Sequence, residues 1–189
     1  MKARTFSKLK AEFKCLSRLK GLSIPLKARY VLSTALGETA RARLFNSIGL
    51  RLVEISLTDR CQCRCGHCFA ANDAPLPRRN ELSTWEVKDL LNDIAKVGVT
   101  EVCFSGGEPL LRDDIFELIE HSRQNGLVAR IISNGILLDE HMVIALKKAG
   151  LNWCSVSIDD PIATVHDAFR RYSGCYEKAI KGLDLLVKH

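Results

Sequence analysis

From residue 51 onward the sequence repeats one unit: a short apolar run, a polar turn, then a stretch with apolar residues at helical spacing. Strands are predicted over 52–57, 101–104, 127–132 and 153–158. The first helix opens at Ser83-Thr84-Trp85-Glu86, a capping box, with Val87, Leu90, Leu91 and Ile94 on its apolar face and a stop at Gly98. A second is capped by Asp113 or Asp114, turns Ile115, Leu118 and Ile119 inward and stops at Asn125-Gly126. A third covers 140–149 and ends at Gly150, and a last one covers 175–188. Four βα units in succession leave few choices. Parallel strands need crossover connections, so the pattern predicts an α/β fold with a parallel sheet and one outer layer of helices.

In such a sheet the loops after the strands gather on one side. Every predicted strand here ends in a polar turn. The first is Thr58-Asp59-Arg60 followed by Cys61-Gln62-Cys63-Arg64-Cys65-Gly66-His67-Cys68. The others are Ser105-Gly106-Gly107-Glu108-Pro109, Ser133-Asn134-Gly135 and Ser157-Ile158-Asp159. Convergence of the four predicts a single site.

Cys61, Cys65 and Cys68 are spaced C-x3-C-x2-C. Three thiolates on a short loop can hold a metal cluster at three corners and leave the fourth for a small molecule. Structural zinc takes four closed ligands, and here Cys63 or Cys103 would have to supply the fourth. The sequence offers no second C-x2-C pair and no paired histidines at zinc spacing. In the glycine turn, Gly106 and Gly107 let the backbone approach a ligand closely, Glu108 adds charge or braces the turn, and Pro109 stiffens it. An ordinary strand-to-helix turn has the same composition.

The chain has eight cysteines, four of them within residues 61–68. No secretory leader is expected, because the first residues lack an uninterrupted apolar core, and metal binding in a reducing, cytoplasmic compartment is the expectation. Cys103 and Cys154 fall in apolar runs and read as buried thiols, whereas Cys15 and Cys175 are scattered. No apolar run approaches the roughly 18 residues of a membrane span. The net charge of +6 is unevenly placed. Residues 1–51 hold 12 Lys/Arg against 2 Asp/Glu, and the remainder holds 16 against 20. Phe6, Leu9, Phe13, Leu16 and Leu19 predict a basic amphipathic helix, and a second helical stretch is predicted over 26–45. A basic helical segment, 1–49, is thus expected before a core domain, 50–189. Packing on the core, a partner chain or a membrane surface each suits that arm. Nucleic acid is not expected.

The cysteine loop, the Gly106-Gly107-Glu108-Pro109 turn, Ser133-Asn134-Gly135 and Ser157-Ile158-Asp159 together resemble the radical S-adenosylmethionine (radical SAM) enzymes, in particular the branch that matures peptides and builds cofactors. The resemblance covers about residue 50 to the C-terminus. It implies a partial (βα) barrel and a [4Fe–4S] cluster on Cys61, Cys65 and Cys68, with S-adenosylmethionine on the open iron. His67 would then lie near the adenine and Phe69 over the cluster. The Gly106–Pro109 turn would face the ligand's ammonium group. Asn134, Ser157 and Asp159 would reach ribose hydroxyls or the methionine carboxylate, although each is also an ordinary turn former. The implied oxidoreductase chemistry is reductive cleavage to a 5′-deoxyadenosyl radical that abstracts hydrogen from a peptide or cofactor precursor. The electron would come from a ferredoxin or flavodoxin.

The family's barrel usually has six βα units, and four are predicted here. An incomplete gene product, completion by a partner chain or dimer, and a non-catalytic cluster-binding subunit are the corresponding expectations. A zinc-bound interaction module is the remaining alternative. Cys63 is a competing thiol inside the loop, a spare ligand or an oxidation liability.

Overall fold

The computed structural model describes residues 50–68 and 81–189. The basic segment 1–49, the linker around 72–77 and Phe69 lie outside the described residues, and so does the expected boundary before residue 50.

Four strands form one parallel sheet in the order β1 (Leu52–Ser56), β2 (Glu101–Ser105), β3 (Val128–Ser133), β4 (Trp153–Val156). Between them run α1 (Thr84–Lys96), α2 (Ile115–Gln124) and α3 (Glu140–Ala149). After β4 come α4 (Ala163–Arg170) and α5 (Cys175–Lys188). Helices pack neighbour against neighbour in the sequence α1, α2, α3, α5, with α4 against α5. The architecture is the α/β fold, a parallel sheet with an outer layer of helices, that the repeat predicted.

Local chemistry explains the elements. The Ser83 hydroxyl accepts from the Glu86 amide, and Glu86 returns the bond to the Ser83 amide at 2.8 Å, closing the capping box of α1. Val87, Leu91 and Ile94 are buried beneath it. The Asp139 carboxylate accepts from the Met142 amide at the start of α3. Asp114 stands at the N-cap of α2 but makes no side-chain cap. Its carboxylate instead takes Arg112 at 2.6 and 2.8 Å and the Thr84 hydroxyl at 2.7 Å, because a nearby guanidinium is a stronger donor than a backbone amide.

The two faces of the sheet differ. Val53, Ile55, Val102, Phe104, Ala129, Ile131, Cys154 and Val156 point to the helices and form the core with Leu91, Ile115, Leu118, Ile119 and Leu146. The other face is polar. Glu54, Cys103, Arg130 and Trp153 stand in register across the four strands. Glu101, 1% exposed, bonds Arg51 at 2.6 Å and Arg130 at 2.9 Å, and Ser105 donates to Glu54 at 2.6 Å.

The strand limits differ from those expected from the sequence: β1 ends at Ser56, and β2 and β3 run on to Ser105 and Ser133. β3 begins one residue later, because its ladder with β2 starts at Glu101↔Val128. β4 stops at Val156, which releases Ser157-Ile158-Asp159 into a loop. Helix α4 has no counterpart in the sequence reading. Its buried residues are His166 and Arg170, while Ile162, Val165 and Phe169 are exposed. With polar side chains inward and apolar ones outward, its pattern is inverted and gives no core-facing stripe.

Candidate functional site

The cysteine loop leaves the end of β1 across the end of β2. The Leu57 amide still pairs with the Ser105 carbonyl at 3.0 Å. Beyond it the glycine turn takes over as the support. The Gly107 amide donates to the Thr58 carbonyl at 2.7 Å and the Glu108 amide to the Arg60 carbonyl at 2.8 Å. These approaches are too close for a side chain. A Cβ on Gly106, which sits at φ +126°, would stand 2.4 Å from the Thr58 oxygen, and one on Gly107 would stand 2.3 Å from the Arg60 oxygen. The glycines therefore press backbone against backbone immediately ahead of Cys61. Buried Arg112 adds a second support, donating to the Leu57 carbonyl at 3.1 Å and the Leu82 carbonyl at 2.8 Å. The Thr58 hydroxyl bonds Glu81.

Glu108 joins this turn to β3. It is fully buried and accepts from the Ser133 hydroxyl at 2.9 Å, the Asn134 amide at 2.8 Å and the Leu110 amide at 3.2 Å. Burial pushes its carboxyl above the ordinary range, and these three donors work against that rise. Pro109 opens a short 3₁₀ turn, Pro109–Leu111. Asn134 carries the connection onward. Its side-chain amide donates to Gln62 Oε1 at 3.0 Å and lies 3.7 Å from Cys61 Sγ. The Ser157 amide pairs with the Ser133 carbonyl at 3.0 Å, which draws the β4 end alongside.

Helix α4 grips the far half of the loop. The Arg64 amide donates to the Arg170 carbonyl at 3.0 Å and the Gly66 amide to the Phe169 carbonyl at 3.1 Å. The rings of His67 and Phe169 stack with centroids 4.9 Å apart and planes 7° from parallel. The Arg170 side chain, buried, donates to Asp159 Oδ2 at 2.7 Å, and the Asp159 amide donates to His166 Nδ1 at 3.2 Å. Asp159 is thus held from both sides by residues one helical turn apart. Arg170, Phe169, His166 and Gln62 belong to the site although the sequence reading passed over them. Their one signal was the three-and-four spacing of His166, Phe169 and Arg170.

The thiols are free and close to one another. Cys61 is pushed up by the neighbouring Cys63 thiol and by burial. Burial pushes Cys65 up while Arg170 pulls the other way. Cys63 is itself buried, touches Cys175 as well as Cys61, and is pushed up to about 12 mainly by the Cys175 thiol. Crowded neutral thiols of this kind ionise when a metal supplies the opposing charge. Among the described residues, no three His, Cys, Asp or Glu side chains converge on one ion position. Cys103 stands mid-strand on the polar sheet face, beside Glu54, and so is no fourth member of the loop.

Every strand-end residue singled out from the sequence thus sits on this end of the sheet, in one connected network from the glycine turn to α4. The Fe-coproporphyrin III synthase of Methanosarcina barkeri is 42% identical over 68% of this chain and 32% of its own length. The AdoMet-dependent heme synthase of Oleidesulfovibrio alaskensis is 37% identical over 72% of this chain and 35% of its own. The PqqA peptide cyclase of Rhodopseudomonas palustris is 37% identical over 68% and 34%. The chain therefore spans about a third of the length of these relatives. Among solved structures, Streptococcus suis SuiB bound to the precursor peptide SuiA superposes with a TM-score of 0.64, at 21% identity, over 84% of this chain and 35% of that one. The AdoMet complex of anSMEcpe gives 0.60 at 20% identity, over 74% and 40%. The family model of the radical SAM superfamily matches residues 55–189, and the chain belongs to that superfamily.

Proposed function

We propose that this chain carries the cluster-binding half of a radical SAM active site and acts in the reductive cleavage of S-adenosylmethionine. The observation that carries the reading is the loop of three free thiols, held at the strand ends by the glycine turn, Asn134 and α4. The donor set fits a [4Fe–4S] cluster: three thiols on one loop, with a buried Gln62 Nε2 beside them that has no acceptor among the described residues. Cys61, Cys65 and Cys68 would hold the cluster. When bound, it supplies one electron to the sulfonium and so a 5′-deoxyadenosyl radical for hydrogen abstraction.

The protein's own residues do the positioning. Gly106 and Gly107 bring the backbone against the loop, and Glu108 locks that turn to β3. Asp159 and Ser157 lie at the β4 end with polar groups for a nucleoside. Arg170 is a cation within electrostatic reach of Cys65. The His67–Phe169 stack braces one side of the loop against α4. The polar sheet face of Glu54, Ser105 and Arg130 is the side that would meet the substrate. Relatives named for heme and Fe-coproporphyrin III synthesis favour a cofactor precursor, and the PqqA peptide cyclases keep a peptide in view. A ferredoxin or flavodoxin in the cytoplasm would supply the electron.

A second reading has its own observation. The chain spans about a third of the length of its relatives, so a cluster would assemble on it while turnover would draw on the further length those relatives carry. Anaerobic reconstitution tests both. The expected result is about four irons per chain and 5′-deoxyadenosine on addition of dithionite and S-adenosylmethionine. Cluster without 5′-deoxyadenosine selects the second reading. A Cys65→Ala protein that still forms 5′-deoxyadenosine sinks the first.

A further inference from the structure

Asn134 and Gln62 form an amide pair whose orientation is settled by one backbone bond. The Ile136 amide donates to Asn134 Oδ1 at 2.9 Å. A backbone N–H can only donate, so the atom it meets must be the carbonyl oxygen. Asn134 Nδ2 then faces Cys61 Sγ at 3.7 Å and Gln62 Oε1 at 3.0 Å. Since Nδ2 is a donor, Gln62 must present its oxygen to it. Gln62 Nε2 is left buried with no hydrogen-bond partner among the described residues. Asn134 is 5% exposed and its own amide is tied to Glu108 at 2.8 Å, so the pair cannot easily reorient.

Leaving a buried amide donor unmet costs about 1–3 kcal/mol, and folded proteins seldom retain one without a reason. The acceptors that belong beside the first ligand of a cluster are sulfurs. Hydrogen bonds to cluster sulfurs stabilise the more negative, reduced state and raise the reduction potential. Resting on the cluster reading above, we propose that Asn134 and Gln62 are positioning residues whose N–H groups donate to the sulfur side of the cluster around Cys61. Together they set the cluster's reduction potential. They act beside the Cys63 amide, which lies 3.4 Å from Cys61 Sγ.

The test is a redox titration, followed by electron paramagnetic resonance, of the whole chain after anaerobic reconstitution. Asn134→Asp keeps the acceptor for the Ile136 amide and removes the donor. Gln62→Leu removes the unmet donor without adding charge. Each variant is expected to keep the iron content of the unsubstituted chain. At a fixed potential, each should shift the oxidised-to-reduced ratio about tenfold toward oxidised, a midpoint about 59 mV lower for one electron. Unchanged midpoints in both variants overturn the proposal. A fall confined to Asn134→Asp overturns it too, because added charge alone then explains the shift. If Asn134→Asp does not load, Gln62→Leu decides by itself. An unsubstituted chain that takes up no iron–sulfur chromophore overturns the cluster reading itself, and with it this one.

Discussion

Replacing glycine by alanine at three places separates the role of the glycine turn from ordinary loop tolerance. At Gly107 the added Cβ would stand 2.3 Å from the Arg60 oxygen, 2.8 Å from the Arg60 carbonyl carbon and 3.0 Å from the Asp59 carbonyl carbon. All three are backbone atoms, so no side chain can swing away. The turn must retreat, and the 2.7 Å and 2.8 Å bonds from the Gly107 and Glu108 amides lengthen or break. Two backbone hydrogen bonds contribute about 1 kcal/mol each. Overpacking adds about 1–3 kcal/mol. Gly107→Ala should therefore destabilise by about 3–5 kcal/mol, a large share of the roughly 5–15 kcal/mol available to a domain. Gly174 is the first control. Its φ is +75° and nothing lies within 4 Å of the added Cβ, so Gly174→Ala should cost only the left-handed strain of about 1–2 kcal/mol. Gly66 is the second. It lies in the cysteine loop itself, yet its added Cβ would meet only Phe169 Cε2 at 3.8 Å. Gly66→Ala should stay within about 1 kcal/mol of the parent. Urea unfolding of the four proteins measures the order. A Gly107→Ala protein as stable as Gly174→Ala would refute the claim that the turn and the cysteine loop are joined through backbone contact.

Two carboxylates should give pH dependences of opposite sign. Burial raises the folded-state pKa of Glu108, so its contribution is present at low pH and is lost as pH rises through the folded value, whereas Asp114 is lowered by Arg112 and its contribution is lost as pH falls through its folded value. Stability measured against pH should lose the first slope in Glu108→Gln and the second in Asp114→Asn. Arg170→Ala leaves Asp159 without its buried cation and should destabilise by about 3 kcal/mol in urea unfolding, the lower end for a buried pair because Asp159 is 26% exposed. Phe169→Leu removes the stack on His67, worth about 0.5–1.5 kcal/mol, and should shorten the lifetime in air of the reconstituted cluster, read from its visible absorption.

Much of the architecture was legible in the sequence because its cues are local. The capping box at Ser83, the stop at Gly150 and the apolar spacing of α1 act within a few residues of chain. The strand ends were legible for the same reason: Gly106-Gly107 and Asn134-Gly135 favour turns through local backbone preference. What α4 does was not legible. Its inward face is His166 and Arg170, residues that ordinarily face solvent; inside, Arg170 meets the Asp159 carboxylate and His166 the Asp159 amide.

By itself, then, the sequence determined the alternation of strand and helix, the parallel sheet it requires, and the three thiols placed after the first strand. Period and spacing carry that much. Which partner each polar side chain takes depended on folding. Glu108 became the lock between β2 and β3, Asn134 turned to Cys61 and Gln62, and Cys63 met Cys175, across separations that no local pattern encodes. The physical reason is reach. A hydrogen bond forms only when two groups come within about 3 Å, and only the closing of the sheet brings residues 62, 108 and 134 to one place.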